Sequence, residues 1–222
     1  MKDNLTELVF ILDKSGSMGG LEADTIGGFN SMIKKQKEEE GEAIISTVLF
    51  DNTTEVLHNR KNVKEIKELT DKDYQVGGCT ALLDALGRAI KHINKVQKEM
   101  PEDERPSKTM FIITTDGQEN SSCEYTYEKI KKMVKKKQEK KNWEFLFIGA
   151  NMDAIGEAGN IGIRADRAVR YECDAQGTAV HYRALGNAIS SFRRCAAGGA
   201  GADAALTGWS DEISKDYESR KR

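Results

Sequence analysis

Paired cysteines, clustered histidines, prolines and long apolar runs are all scarce in this sequence, and each shortage excludes something. The four cysteines (Cys79, Cys123, Cys173, Cys195) are widely spaced and the three histidines (His58, His92, His181) are scattered, so no zinc-ligand spacing is present. Both prolines, Pro101 and Pro106, fall in one charged stretch and mark a surface loop there. No apolar run approaches the roughly 20 residues of a membrane span. The first residues, Met-Lys-Asp-Asn, lack the apolar segment of a signal peptide. Charge of one sign is not in excess: 34 Lys+Arg against 36 Asp+Glu leave a net of −2, which gives no reason to expect a nucleic-acid partner. Neither a phosphate loop nor a dinucleotide-binding glycine pattern occurs. These absences lead us to expect a soluble, cytoplasmic protein with reduced thiols and no membrane partner.

What is present centres on one stretch, Leu8-Val9-Phe10-Ile11-Leu12-Asp13-Lys14-Ser15-Gly16-Ser17-Met18. An unbroken apolar run of this length suits a strand buried on both faces. It stops at an Asp followed by two serines and a glycine, and ligands of open α/β sheets bind beyond the carboxyl ends of the strands. Asp13, Ser15 and Ser17 offer only oxygen, the donor that hard cations prefer.

The rest of the chain alternates in type. A helix is expected over 21–40, with Ile26, Phe29, Met32 and Ile33 at helical spacing and Gly41 as its cap. Strands follow over 43–50 and 53–58, too close together for a parallel crossover and so an antiparallel hairpin turned by Asp51-Asn52. Thr80 opens an amphipathic helix striped by Leu82, Leu86, Ile90, Ile93 and Val96. Residues 109–117 repeat the opening logic, an apolar strand running into Asp116-Gly117. A lysine-rich helix over 127–141 has two readings, an anionic docking surface or a solvated face. Then come a strand over 143–148, a short helix over 152–158, a weak strand over 168–171 and a closing helix over 178–195, with His181 packed in its apolar stripe. Residues 196–208 are small and glycine-rich and read as a flexible linker. The polar tail 209–222, with Trp209, suits docking, a partner or disorder alike. The domain is thus expected over 1–195, with a linker and tail over 196–222.

This order describes a Rossmann-like, doubly wound, mostly parallel six-stranded sheet with one antiparallel edge strand and helices on both faces. Its first and fourth strands should be neighbours, which brings Asp13, Ser15, Ser17, Thr80 and Asp116 to one rim. Mg²⁺ takes about six oxygens and usually keeps several waters. Three hydroxyls and two carboxylates supply such a set, and an ion bound mainly by neutral oxygens wants one more anionic oxygen from outside.

Asp13-x-Ser15-x-Ser17, with Thr80 in Gly-Gly-Cys-Thr and Asp116 in Thr-Thr-Asp-Gly, resembles the metal-ion-dependent adhesion site of von Willebrand factor A domains. The resemblance covers roughly residues 5–195. It implies a divalent ion, commonly Mg²⁺ with Mn²⁺ or Ca²⁺ as alternatives. It also implies a non-enzymatic module that captures an exposed Asp, Glu or C-terminal carboxylate of a partner protein. Intracellular members often act as adaptors, in bacterial stress-response and metal-resistance systems among others. Cys79 stands where related sequences often have glycine, and reads as a small buried residue. Ser121 and Ser122 are expected to cap the next helix, Asp84 to orient the Thr80 loop or favour its helix, and Gly16 to permit the turn between the serines. Asn151 is a further candidate for touching a ligand. The competing reading is a Mg²⁺-dependent phosphatase with Asp13 as nucleophile. That chemistry calls for a second Asp at position 15, which is a serine, and for a base that the pattern does not supply.

Overall fold

Strand β1 (Lys2–Asp13) is buried from Leu5 to Asp13, because both of its faces are covered. Side chains of a strand alternate between faces. Leu8, Phe10 and Leu12 therefore enter one core and Val9 and Ile11 the other. In this computed structural model, which describes residues 1–150 and 153–220, β1 lies at the centre of a six-stranded sheet. The other strands are β2 (Glu42–Phe50), β3 (Thr54–Asn62), β4 (Pro106–Thr115), β5 (Glu144–Ala150) and β6 (Ala168–Tyr171), in the order β3-β2-β1-β4-β5-β6. Only β2 and β3 pair antiparallel; β1 pairs parallel with β2 and with β4. The expected neighbours at the reversal of strand order are thus in place.

Helices α1 (Glu22–Glu38) and α5 (Ala175–Arg194) cover one face, where Phe29 meets Phe10 edge-on at 5.4 Å and Leu185, Ile189 and Phe192 complete the packing. Helices α2 (Leu82–Glu99), α3 (Tyr127–Lys141) and α4 (Ala154–Asn160) cover the other, around Leu86, Ile90, Ile130, Val134 and a stacked Phe111–Trp143 pair. No helix among the described residues is long and apolar enough to cross a membrane.

Three expectations change, and one buried acid went unforeseen. Pro106 is not in the loop but is the first residue of β4, a place in a strand where a missing N–H costs little. The helix expected from Thr80 begins at Leu82, which leaves Thr80 in the preceding loop. Glu7, just before the apolar run of β1, is fully buried, its side chain held by Arg60 at 2.6 Å and by the Gln97 amide at 2.7 Å. Residues 196–208, expected as a flexible linker, instead carry helix α6 (Gly199–Ala205) and lead into α7 (Asp211–Ser219). Ala202, Leu206, Trp209 and Ile213 join the α1/α5 core, and the Trp209 indole donates to the Asp166 carbonyl at 3.0 Å. Here small residues permit close approach: a Cβ on Gly201 would come within 2.4 Å of the Ala196 carbonyl oxygen.

Candidate metal centre

The chain leaves β1 in a tight turn built by its own polar side chains. One oxygen of Asp13 accepts the Ser15 N–H at 2.7 Å, and the other accepts the Thr115 hydroxyl at 2.5 Å, from the end of β4. The Ser15 and Ser17 hydroxyls lie 3.1 Å apart, and Ser17 donates to Asp116 at 2.6 Å. A single hydrogen-bond chain therefore joins Asp13, Ser15, Ser17 and Asp116. The loop before α2 is laced alongside it. Gly77 donates to the Lys14 carbonyl at 2.9 Å and Gly16 to the Gly78 carbonyl at 3.1 Å, while the buried Tyr74 hydroxyl donates to the Asp13 carbonyl. Gly78 adopts φ +74°, and the Asn52 side chain fills the place a Cβ would take.

Thr80 joins the same rim. Its N–H donates to Asn120 Oδ1 at 2.9 Å, and the Asn120 N–H returns to the Thr80 carbonyl at 3.0 Å. Helix caps usually come from the residue before the first turn. Here the α2 N-terminus is satisfied from across the rim, by Glu119 accepting from Leu83 and Ser122 accepting from Asp84. The Thr80 hydroxyl is left without a protein hydrogen bond among the described residues, on a residue only 3% exposed. Gly117 shows where that hydroxyl points: a Cβ there would sit 2.9 Å from Thr80 Oγ1 and 3.2 Å from Ser17 Oγ. The two hydroxyls flank one small space that only a glycine keeps open.

The electrostatics are unfavourable without a cation. Burial pushes the Asp13 carboxyl up to about 6, against the hydrogen bonds from Thr115 and Ser15, and the nearby Asp116 charge adds to the rise. Burial also raises Asp116, while Ser17 and Cys173 donate to it and oppose the rise. Two buried carboxylates, three hydroxyls and a cradle without a Cβ fit a hard divalent ion. Asp13, Ser15, Ser17, Thr80 and Asp116 would hold it, and it would supply positive charge to an acidic group from outside. No group of three or more His, Cys, Asp and Glu side chains placed to hold a metal ion occurs among the described residues, so hydroxyls complete the donor set that the two carboxylates begin.

Other expectations sort around this centre. Lys14 turns away to Glu55 at 3.1 Å. Asp84 orders the Asp116 loop rather than that of Thr80, accepting from the N–H groups of Cys123, Glu124 and Tyr125. Ser122 caps α2, whereas α3 is capped by Thr126. Gly16 has an ordinary φ and serves close approach to the Gly78 carbonyl, 3.4 Å from a would-be Cβ. Cys79 is exposed, not buried. His181 is packed in the core between Tyr171 and Tyr182, and burial lowers its pKa to about 3. Asn151 lies outside the described residues. Sequence reading missed Tyr74, Thr115, Gly117, Glu119, Asn120 and Cys173, whose thiol is 3.8 Å from Asp116 Oδ2. Thr115 and Gly117 flank Asp116, and Cys173 follows a strand end, so adjacency to strand ends was the available signal.

A doubly wound sheet with this oxygen-lined rim defines a class of α/β binding domains. The sequence matches the von Willebrand factor type A domain over residues 7–177, and the chain belongs to that family. No curated relative matches it. Among solved structures it is similar to proximal thread matrix protein 1 of the mussel byssus with a zinc-occupied MIDAS motif, at 15% identity and TM-score 0.58, covering 85% of this chain and 46% of that one. It is also similar to a von Willebrand factor type A protein of Catenulispora acidiphila, at 16% identity and TM-score 0.54, covering 83% and 42% respectively. Manganese-loaded TRAP of Plasmodium vivax is similar at 18% identity and TM-score 0.55, with 80% and 72% covered. At such identities the likeness is one of fold. The chain spans less than half the length of the first two.

Proposed function

We propose that this protein is a divalent-cation-dependent protein-binding module. Its rim would capture an Asp, Glu or C-terminal carboxylate of a partner protein through an ion held by Asp13, Ser15, Ser17, Thr80 and Asp116. The observation that carries this reading is the Thr80 hydroxyl, which makes no hydrogen bond to the described residues and faces Ser17 across the gap kept open by Gly117. Mg²⁺ is the favoured ion on the oxygen donor set, with Mn²⁺ or Ca²⁺ as alternatives; zinc and manganese in two related folds support a divalent ion. With Lys14 engaged by Glu55, nothing favours phosphate chemistry at Asp13, and we read the module as non-enzymatic. We further place it in the cytoplasm as an adaptor, as in stress-response or metal-resistance complexes, where its two exposed thiols stay reduced.

Affinity capture from the native cell in Mg²⁺ and in EDTA tests this. Partner proteins should be retained in Mg²⁺, released by EDTA and lost with Ser15→Ala, whose fold is checked by circular dichroism. Retention that ignores both EDTA and Ser15→Ala contradicts the reading.

A further inference from the structure

Both α2 and α3 begin at the rim and run back antiparallel to the strands, so their C-terminal halves meet at the opposite end of the domain. A groove of about 350 Å³ lies between them. Six lysines line it: Lys91 and Lys98 from α2, and Lys136, Lys137, Lys140 and Lys141 from α3. Lysines near helix C-termini complement the helix dipole, but that effect does not require two helices to aim theirs into one concavity. Elsewhere on these helices lysines find acids, Lys95 with Glu99 and Lys132 with Glu128. Among the described residues none of the six groove lysines makes an ion pair, in a chain whose overall charge is −2. Lys137 forms the floor, its ammonium bonded to neutral Asn94 and lying 5.0 Å over the Trp143 ring.

We propose that this groove binds a compact phosphate-bearing polyanion, a short chain of linked phosphates. Lysine ammoniums are strongly hydrated point charges that recognise charge density, whereas bidentate readers of shape use arginine, and the groove has none. No aromatic side chain lines it, so a nucleic acid would find no stacking platform. Its concavity suits a chain lying between two helices better than a flat bilayer. Burial and the neighbouring charges of Lys141, Lys98 and Lys136 lower Lys137 to about 8, a repulsion that a bound anion relieves.

Calorimetric titration with sodium tripolyphosphate in EDTA tests the groove with the rim metal-free, so its result is independent of the protein-capture reading. Wild type should bind at low salt and lose at least tenfold in affinity between 50 and 300 mM NaCl, roughly the loss expected when several ammoniums are screened. Lys136→Gln/Lys140→Gln, both exposed and without an ion pair or side-chain hydrogen bond among the described residues, should weaken binding at least tenfold, and the control Lys64→Gln should not. ATP, with the same three phosphates, should bind no tighter. No binding by wild type, or equal binding by the double variant, overturns the proposal. So does tighter binding of ATP, duplex RNA or phosphatidylglycerol vesicles that the double variant loses, because the surface would then serve a different partner.

Discussion

Thr80 is the residue on which the centre turns. Its hydroxyl makes no protein hydrogen bond, so Thr80→Val, which keeps the shape, should leave the metal-free fold unchanged or up to about 1 kcal/mol more stable. A ligand at 100 times its Kd stabilises a fold by about 2.7 kcal/mol. Wild type should therefore gain thermal stability on adding Mg²⁺, and Thr80→Val should lose most of that gain in a melting experiment; equal gains would count against Thr80 as a ligand. That Asp13, Ser15, Ser17, Thr80 and Asp116 share one rim was legible in the sequence, because each sits at or just beyond a strand end or before a helix. Gly117 and Tyr74 were not. Their roles depend on which loop faces which, and that is decided by packing between segments far apart in the chain.

At the level of elements, the rim is held by helix caps that cross between loops. Asp84, in the first turn of α2, is 7% exposed and accepts from three N–H groups of the segment after Asp116. Its burial alone would raise its pKa, but those N–H groups, from Cys123, Tyr125 and Glu124, hold it below the usual carboxylate value. A depressed carboxylate stabilises the fold above its unfolded pKa of about 3.9, and that contribution is lost as pH falls through the folded value. Asp84→Asn turns an NH₂ toward a backbone donor and should cost roughly 1.5–3 kcal/mol at pH 7. In urea unfolding the gap between variant and wild type should narrow below about pH 4; a gap constant across pH would show that the charge is not what matters. Strand and helix types were readable from periodicity, including the β2–β3 hairpin. The capping partners were not, since a local pattern such as Ser121-Ser122 before α3 points to the neighbouring helix while the structure uses Ser122 on α2.

Over the whole molecule, the tail is part of the fold. Trp209, 8% exposed, joins the core that Phe10 and Phe192 share, and α7 packs along β6. Trp209→Ala should cost about 3–5 kcal/mol in chemical unfolding; a cost below 1 kcal/mol would return residues 196–220 to the status of a linker. Composition misread this segment because glycine and alanine signal flexibility in isolation and close packing in context. The central claim is that loops distant in the chain form one divalent-cation centre, and titration of Mn²⁺ by calorimetry tests it most directly. Wild type should bind one ion per chain, with Ser15→Ala and Asp116→Asn each weakening it at least tenfold while remaining folded. Undiminished binding in both variants, or none in wild type, would contradict it.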